Sequence, residues 1–496
     1  MNGRSDISTA RRIVRAAGSM WLGMALLGAI FIYLSVVSVF TTPAARVLGT
    51  TPDRVYGHWI FVGFCLTLCA NLTVATVTRI PFRPERLGAW CSHAGVIILA
   101  AGSIWYVLGK VRGDCVTIRE EAWSQIRQFY LEDTFAAYAG GGGAALRQTP
   151  ITGIDRRVTT GSVELNVPLA GCEDGLTARA TGYTPHARWG YSWEDNSPNN
   201  IPAVMLGVKD GPNEKAVVLS PSLPGFEQAV AGAYIMVYRP NTTAEILKRL
   251  TRPGPGPAVH HELALVLTGK EIPPSIVVVR PDGTRWQGRL RDHQSVDVPL
   301  AGRNVAVRLI RTFTNAARRC WARPLDPKVK GPNVGPVLRV EAQTGSFRTA
   351  TYVPFATYEH ISPPQLLDLP GSRALWLNFS RARRPLPATI RIMRTEYLTY
   401  PASVVPKDYV SDVEISAGGQ KRSDTIRLNE PAMVGPYQIS QGSWTNDRTG
   451  RPQAIVFLIA TRPGLWVIWL GCTLICLGFP YALYVKPLLL ARRRRR

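Results

Sequence analysis

The sequence predicts a polytopic α-helical membrane protein, with four transmembrane helices carrying one large β-rich extracytoplasmic domain. Three observations predict it. Apolar runs dominate the first 110 residues and the last 35, whereas the middle is rich in Pro, Gly and short β-type segments. Lys and Arg gather beside some apolar runs and avoid others. No strand–helix alternation of the βαβ kind stands out between the runs.

A bilayer core needs about 20 mainly apolar residues per helix. Residues 20–40 meet that need without a single charge, and 58–78 do so with Asn71 as the most polar interior residue. Residues 87–108 and 465–485 give the third and fourth spans. The first run exceeds the roughly 7–15 residues of a signal-peptide core, and Thr41–Thr42–Pro43 is no small-residue cleavage site, so the helix is expected to be retained. This divides the chain into a membrane part (1–110), an outer domain (111–462), and a last helix with a basic tail (463–496).

Arginine placement orients the spans. Arg4, Arg11, Arg12 and Arg15 precede the first helix, and Arg79, Arg83 and Arg86 join the second to the third. Lys486 and Arg492–Arg496 follow the fourth, while only Arg46 and Arg54 lie between the first and second. Alternating helices put the three basic flanks on one side. Both termini are therefore expected in the cytoplasm of a multi-pass plasma (inner) membrane protein, with 111–462 outside. That placement accounts for much of the formal net charge of +24 without nucleic acid, for which no basic and aromatic patch stands out.

In the middle, Ala233–Tyr238, Leu263–Leu267, Ile276–Val279, Val305–Ile310 and the segment ending at Val353 read as strands, with Pro281–Asp282–Gly283 as a turn. A β-sandwich or barrel-like domain is expected. Gly140–Gly143 and Pro253–Pro257 read as breaks, the second dividing the domain into two lobes. No hydrolase elbow, phosphate loop or H-E-x-x-H pattern occurs, and the carboxylates do not pair, so no catalytic residue is assigned.

The eight cysteines include no C-x-x-C, which argues against a dithiol oxidoreductase, a zinc knuckle or a c-type cytochrome. Five lie in apolar runs, where a thiol behaves as a small hydrophobe. Cys172 and Cys320 are free to pair if they meet.

His93 stands out. It lies six residues into the third span, about 9 Å along its axis. Ionisable groups at such depth face a bundle interior or a cofactor. A neutral imidazole ligates haem iron, and it also hydrogen-bonds between helices; both readings stay open. Gly88, Ala94, Gly95 and Gly102 leave room for a neighbouring helix or a planar macrocycle. His58 reads as an interfacial residue, and His186, His260, His261, His293 and His360 as outer-domain histidines. Trp189–Gly190–Tyr191–Ser192–Trp193–Glu194–Asp195 is a partial tryptophan-rich motif, read as coincidence.

Together these segments resemble the ResB (CcsB) family of cytochrome c biogenesis proteins. The likeness rests on three stretches: Arg86–Leu87–Gly88 through His93–Ala94–Gly95 to Gly109 and Gly113; Ile426–Pro431 (IRLNEP) with Gly435–Trp444; and Arg462–Pro463–Gly464–Leu465–Trp466, where Arg462 replaces a more usual acidic residue. The resemblance implies an accessory subunit of a cytochrome c synthetase (haem lyase) complex. Such a subunit carries haem b as transient cargo and presents it to apocytochrome c. It implies His93 as one axial ligand, Gly95 as a haem or helix-packing residue, and a second ligand from a CcsA-type partner holding the tryptophan-rich motif. Thiol reduction would fall to separate proteins. The alternative is a haem-free ResB-like scaffold organising another respiratory complex. A haem- or quinone-linked electron-transfer subunit is disfavoured, because a bis-histidine haem within one chain needs two buried histidines.

Overall fold

Coiling into a helix satisfies the backbone of an apolar run within the run itself, and four long uncharged runs coil in this way here. The computed structural model describes residues 16–494 apart from 51–53, 120–122, 142–144, 153, 155–160, 174, 211–212, 232–233, 252–260, 372, 402–405 and 447–451. Helices α1 (Met20–Val39), α2 (Thr41–Val47), α3 (Trp59–Arg79) and α4 (Leu87–Gly109) open the chain. An eight-residue helix, α5 (Ala244–Thr251), sits among the strands. Helix α6 (Leu465–Pro480) continues through a π-helical turn, Tyr481–Val485, into α7 (Lys486–Arg494). Four stretches, Met20–Val39, Trp59–Arg79, Pro84–Gly109 and Leu465–Arg492, are long and apolar enough to cross a membrane. The fourth runs beyond the expected end at 485. Pro480 lacks an N–H, and the wider π turn that follows carries the helix past it. Arg4, Arg11, Arg12, Arg15, Arg495–Arg496, Gly142–Gly143, Pro253–Pro257 and His260 lie outside the described residues.

The chain divides into two compact units, described separately. The first holds the described residues of Met1–Thr134 and Arg381–Arg496; the second holds those of Phe135–Ile154 and Thr159–Ser380. The strand-rich region is thus shared between both units, and the boundaries fall near 134 and 380 instead of at Pro253–Pro257.

In the first unit an antiparallel sheet includes Gln420–Ile426, Pro406–Ala417, Arg112–Ile118, Pro452–Thr461, Tyr437–Asn446 and Ala432–Val434. Its end strands come alongside each other without laddering, so the sheet curls around one core. Alternate residues fill that core: Ile390, Ile392, Val413, Ile415, Ile455, Phe457 and Ile459. The helices of this unit pack in sequence, α1 on α3, α3 on α4, and α4 on α6.

In the second unit, strands Ala203–Asp210, Asn213–Leu219, Ser295–Leu300 and Arg303–Phe313 form one sheet. A second sheet contains Gln228–Ala231, Tyr234–Arg239, Glu262–Leu267, Ser275–Val279 and Arg285–Arg289. The two share a core through Leu206, Val208, Val305 and Val307 on one side and Met236, Tyr238, Val266 and Val278 on the other. The opposite face of the second sheet buries Leu265, Leu267, Val277 and Val279 under Leu247 and Leu250 of α5. Ser275–Val279 is consequently buried at every position.

One expectation is corrected here. Tyr234–Arg239 and Glu262–Leu267 pair in parallel, with α5 between them, so a βαβ crossover is present. A helix of eight residues is too short for its periodicity to separate it from a loop. The parallel pair also explains why a domain border cannot lie at Pro253–Pro257: the two strands that flank the segment are neighbours in one sheet.

Cys172 and Cys320 are both free thiols. Burial raises both, Cys320 up to about 11. At pH 8 about one Cys320 thiol in a thousand is ionised, so alkylation of the native protein is expected to be slow and to quicken tenfold per pH unit up to pH 10. Mass spectrometry after timed alkylation checks this. A gain of two hydrogens on reduction would show instead that the pair is oxidised.

Candidate functional site

His93 lies on α4, on the same face as Trp90 three residues before it. Across from it on α3 stands Thr76, which is 5% exposed. His93 Nδ1 and Thr76 Oγ1 are 2.6 Å apart. Thr76 Oγ1 also donates to the Leu72 carbonyl one turn back, at 2.6 Å. Nε2 of His93 has no hydrogen-bond partner among the described residues. Trp90 Nε1 is buried and has none either, while Phe82 packs edge-on against the indole at 5.5 Å.

Gly95 is two residues from His93, about 200° around the helix, and so faces elsewhere. A Cβ there would lie 2.8 Å from the Gly471 carbonyl oxygen and 2.9 Å from Ile475 N of α6. The same holds along both helices. Gly88 meets Gly478 and Ala482, Gly102 meets Ile468, and Gly464 lies against the Gly102 carbonyl with a left-handed φ of 71° that caps α6. Gly95 is therefore a helix-packing residue, and its face leaves no space for a macrocycle.

Asn71, 4% exposed, donates through Nδ2 to the carbonyls of Ala17 and Ser19 at 2.6 and 3.0 Å. It ties the start of α1 to α3, and Gly23 gives it room. Between α1, α3 and α4 lies a cavity of about 400 Å³, lined among others by Leu27, Phe61, Cys65, Cys69, Val96 and Ala100. Its volume is in the range of small-molecule pockets. Val96 and Ala100 stand one and two turns from His93 along α4.

Four other histidines are used locally. His58 caps α3, accepting from Ile60 N at 3.4 Å. His186 Nε2 sits 2.7 Å from the Val329 carbonyl. His293 takes a turn conformation at φ 60°, and His360 lies in a short 3₁₀ turn beside Tyr358. Among the described residues no three His, Cys, Asp or Glu cluster as metal ligands.

The Trp189–Asp195 stretch lies in strand Leu176–Asp195, its side chains engaged with neighbours. Arg318 covers the Tyr191 ring at 3.5 Å, Gln365 donates to the Tyr191 hydroxyl at 2.6 Å, and Trp193 packs on Phe226. Asp195 Oδ1 accepts from Thr314 N and Asn315 N at 3.0 and 2.6 Å. Arg427–Glu430 forms a turn whose arginine meets Asp408 at 2.9 Å, and Gly435 at φ 57° turns the hairpin that follows.

Thr76 is the residue sequence reasoning missed, since a threonine in an apolar run carries no signal until its partner on another helix is known. No protein-family model matches this sequence, and no curated protein matches it.

Proposed function

We propose that this chain is a ResB-like (CcsB-type) membrane subunit that takes up haem through His93 and passes it outward for attachment to apocytochrome c. The observation that carries the reading is the state of His93. Its Nδ1 is held by Thr76, and its Nε2 is unpartnered among the described residues. Haem, as cargo, needs one such nitrogen lone pair as an axial ligand. The orphaned Trp90 indole N–H, on the same face of α4, offers a donor to an anionic edge of the cargo. Gly95 is no part of this site.

In this reading the four apolar stretches span the plasma (inner) membrane. Arg79, Arg83, Arg86 and Lys486 then lie at the cytoplasmic ends and the strand-rich region lies outside. Aromatic pairs support the outer boundary: Trp105 meets Trp466 at 6.5 Å, and Lys110 lies over Tyr106. His93 is then near the cytoplasmic face, where haem enters. A CcsA-type partner supplies the second ligand and separate proteins keep the acceptor thiols reduced. Attachment adds a thiol S–H across a haem vinyl group, forming a C–S and a C–H bond. It needs neither acid nor nucleophile from this chain.

The test is co-purification of the full chain with a CcsA-type partner. The complex is expected to show a haem Soret band that falls about tenfold or more in His93→Ala, with holocytochrome c lost and recovered by added imidazole. A complex without haem, or with haem unchanged in His93→Ala, sinks the proposal and favours a haem-free scaffold.

A further inference from the structure

We infer that Thr76 is the positioning residue for His93: it fixes the imidazole as the Nδ1–H tautomer and so keeps Nε2 as a bare lone pair aimed away from α3. The inference rests on the haem reading above, but its core is a proton count on two oxygens and one nitrogen. A threonine hydroxyl has one proton and two lone pairs. The 2.6 Å approach of Oγ1 to the Leu72 carbonyl requires a proton between them, and a carbonyl has none to give. The Thr76 proton is therefore committed to Leu72. Toward His93 Nδ1, also at 2.6 Å, Thr76 can only accept. Nδ1 must then carry the hydrogen, and a neutral imidazole with Nδ1–H has an unprotonated Nε2.

The contact does a second thing. An imidazole hung from Cβ alone rotates; one pinned at Nδ1 as well has its plane set, and the Nε2 direction with it. Ligating histidines commonly donate their other N–H to an acceptor that fixes tautomer and orientation and raises ligand basicity. Here the acceptor is the buried hydroxyl of a residue on the neighbouring helix. Thr76 thereby couples the α3–α4 packing to the strength of the iron bond.

The experiment uses the full chain in detergent micelles, titrated with haemin and followed by its Soret band, in wild type, Thr76→Val, Thr76→Ser and His93→Ala. Valine keeps the shape and removes the acceptor; serine keeps the hydroxyl. Thr76→Val is expected to weaken haemin binding about tenfold to a hundredfold and to raise the midpoint potential, because the ligand becomes less basic. Thr76→Ser should stay within about threefold of wild type with an unshifted potential. In the haem-free protein, ¹⁵N spectra of the His93 ring should show the proton on Nδ1, and a mixture of tautomers in Thr76→Val. If His93→Ala abolishes binding while Thr76→Val leaves affinity and potential untouched, the Thr76 role fails and the haem reading survives. Serine as weak as valine also overturns the role, pointing to packing. Haemin binding unchanged in His93→Ala removes the haem reading, and the ring spectrum of the haem-free protein then decides the tautomer by itself.

Discussion

Replacing Arg381 by methionine is expected to lower the unfolding free energy of the first unit by about 3 kcal/mol. Arg381 is 2% exposed and holds Asp114 with two parallel bonds, Nη1 to Oδ2 at 2.8 Å and Nη2 to Oδ1 at 2.6 Å. Tyr130 is the register partner of Asp114 in the adjacent strand, and its ring lies 5.6 Å from the guanidinium. Residues far apart in the chain are thus joined across neighbouring strands. Breaking a buried pair from one side costs about 3–5 kcal/mol, because the remaining charge keeps its desolvation penalty. The lower figure applies, since the Asp114 side chain retains 21% of its exposure and recovers some hydration. Denaturation followed by tryptophan fluorescence checks it. The double variant Arg381→Met with Asp114→Leu should recover most of the loss, because removing both charges removes the penalty as well. A single-variant loss under about 1 kcal/mol would show that the pair is effectively solvated.

The helices were legible because 20 apolar residues are a strong signal; expected and observed ends for the first three agree within one residue. The fourth was legible from its start at Leu465 but not to its end, since Lys486 and the arginines after it look like a stop. Among the strands, Ser275–Val279 was legible as a short β-branched run. The 27-residue strand Arg373–Thr399 was not, because arginines and prolines interrupt its alternation. Arg381 was one basic residue among many until the sheet placed it against Asp114. His93 could be found by rarity alone, being an imidazole within an apolar run. Thr76 could not: its role depends on a contact between helices. Gly88, Gly95 and Gly102, and likewise Gly464, Gly471 and Gly478, recur every seven residues. That period was readable as two matching helix faces, whereas the third span by itself shows its glycines only as room for a helix or a macrocycle.

Gly471→Ala is expected to destabilise the helix pair α4–α6 by about 2 kcal/mol, within the range for overpacking. Its Cβ would lie 2.6 Å from Leu99 N and 2.8 Å from the Gly95 carbonyl oxygen, both backbone atoms that no rotamer change can move. Small residues let apolar helices approach closely, and the approach supplies their attraction. Gly63→Ala on α3 and Gly28→Ala on α1 provide the opposite sign. Neither Cβ meets an atom within 4 Å, so each should gain up to about 1 kcal/mol from helix propensity. Thermal unfolding in detergent reads all three. The comparison also decides what Gly95 is for. His93 faces Thr76 on α3, whereas Gly95 faces α6, so Gly95→Ala pushes at the helix pair and leaves the imidazole contact in place. A drop in melting temperature with haemin affinity held within about threefold assigns Gly95 to packing. A loss of haemin affinity without loss of stability would instead put the cargo against Gly95, where the Gly471 carbonyl oxygen already stands 2.8 Å from the place a Cβ would take.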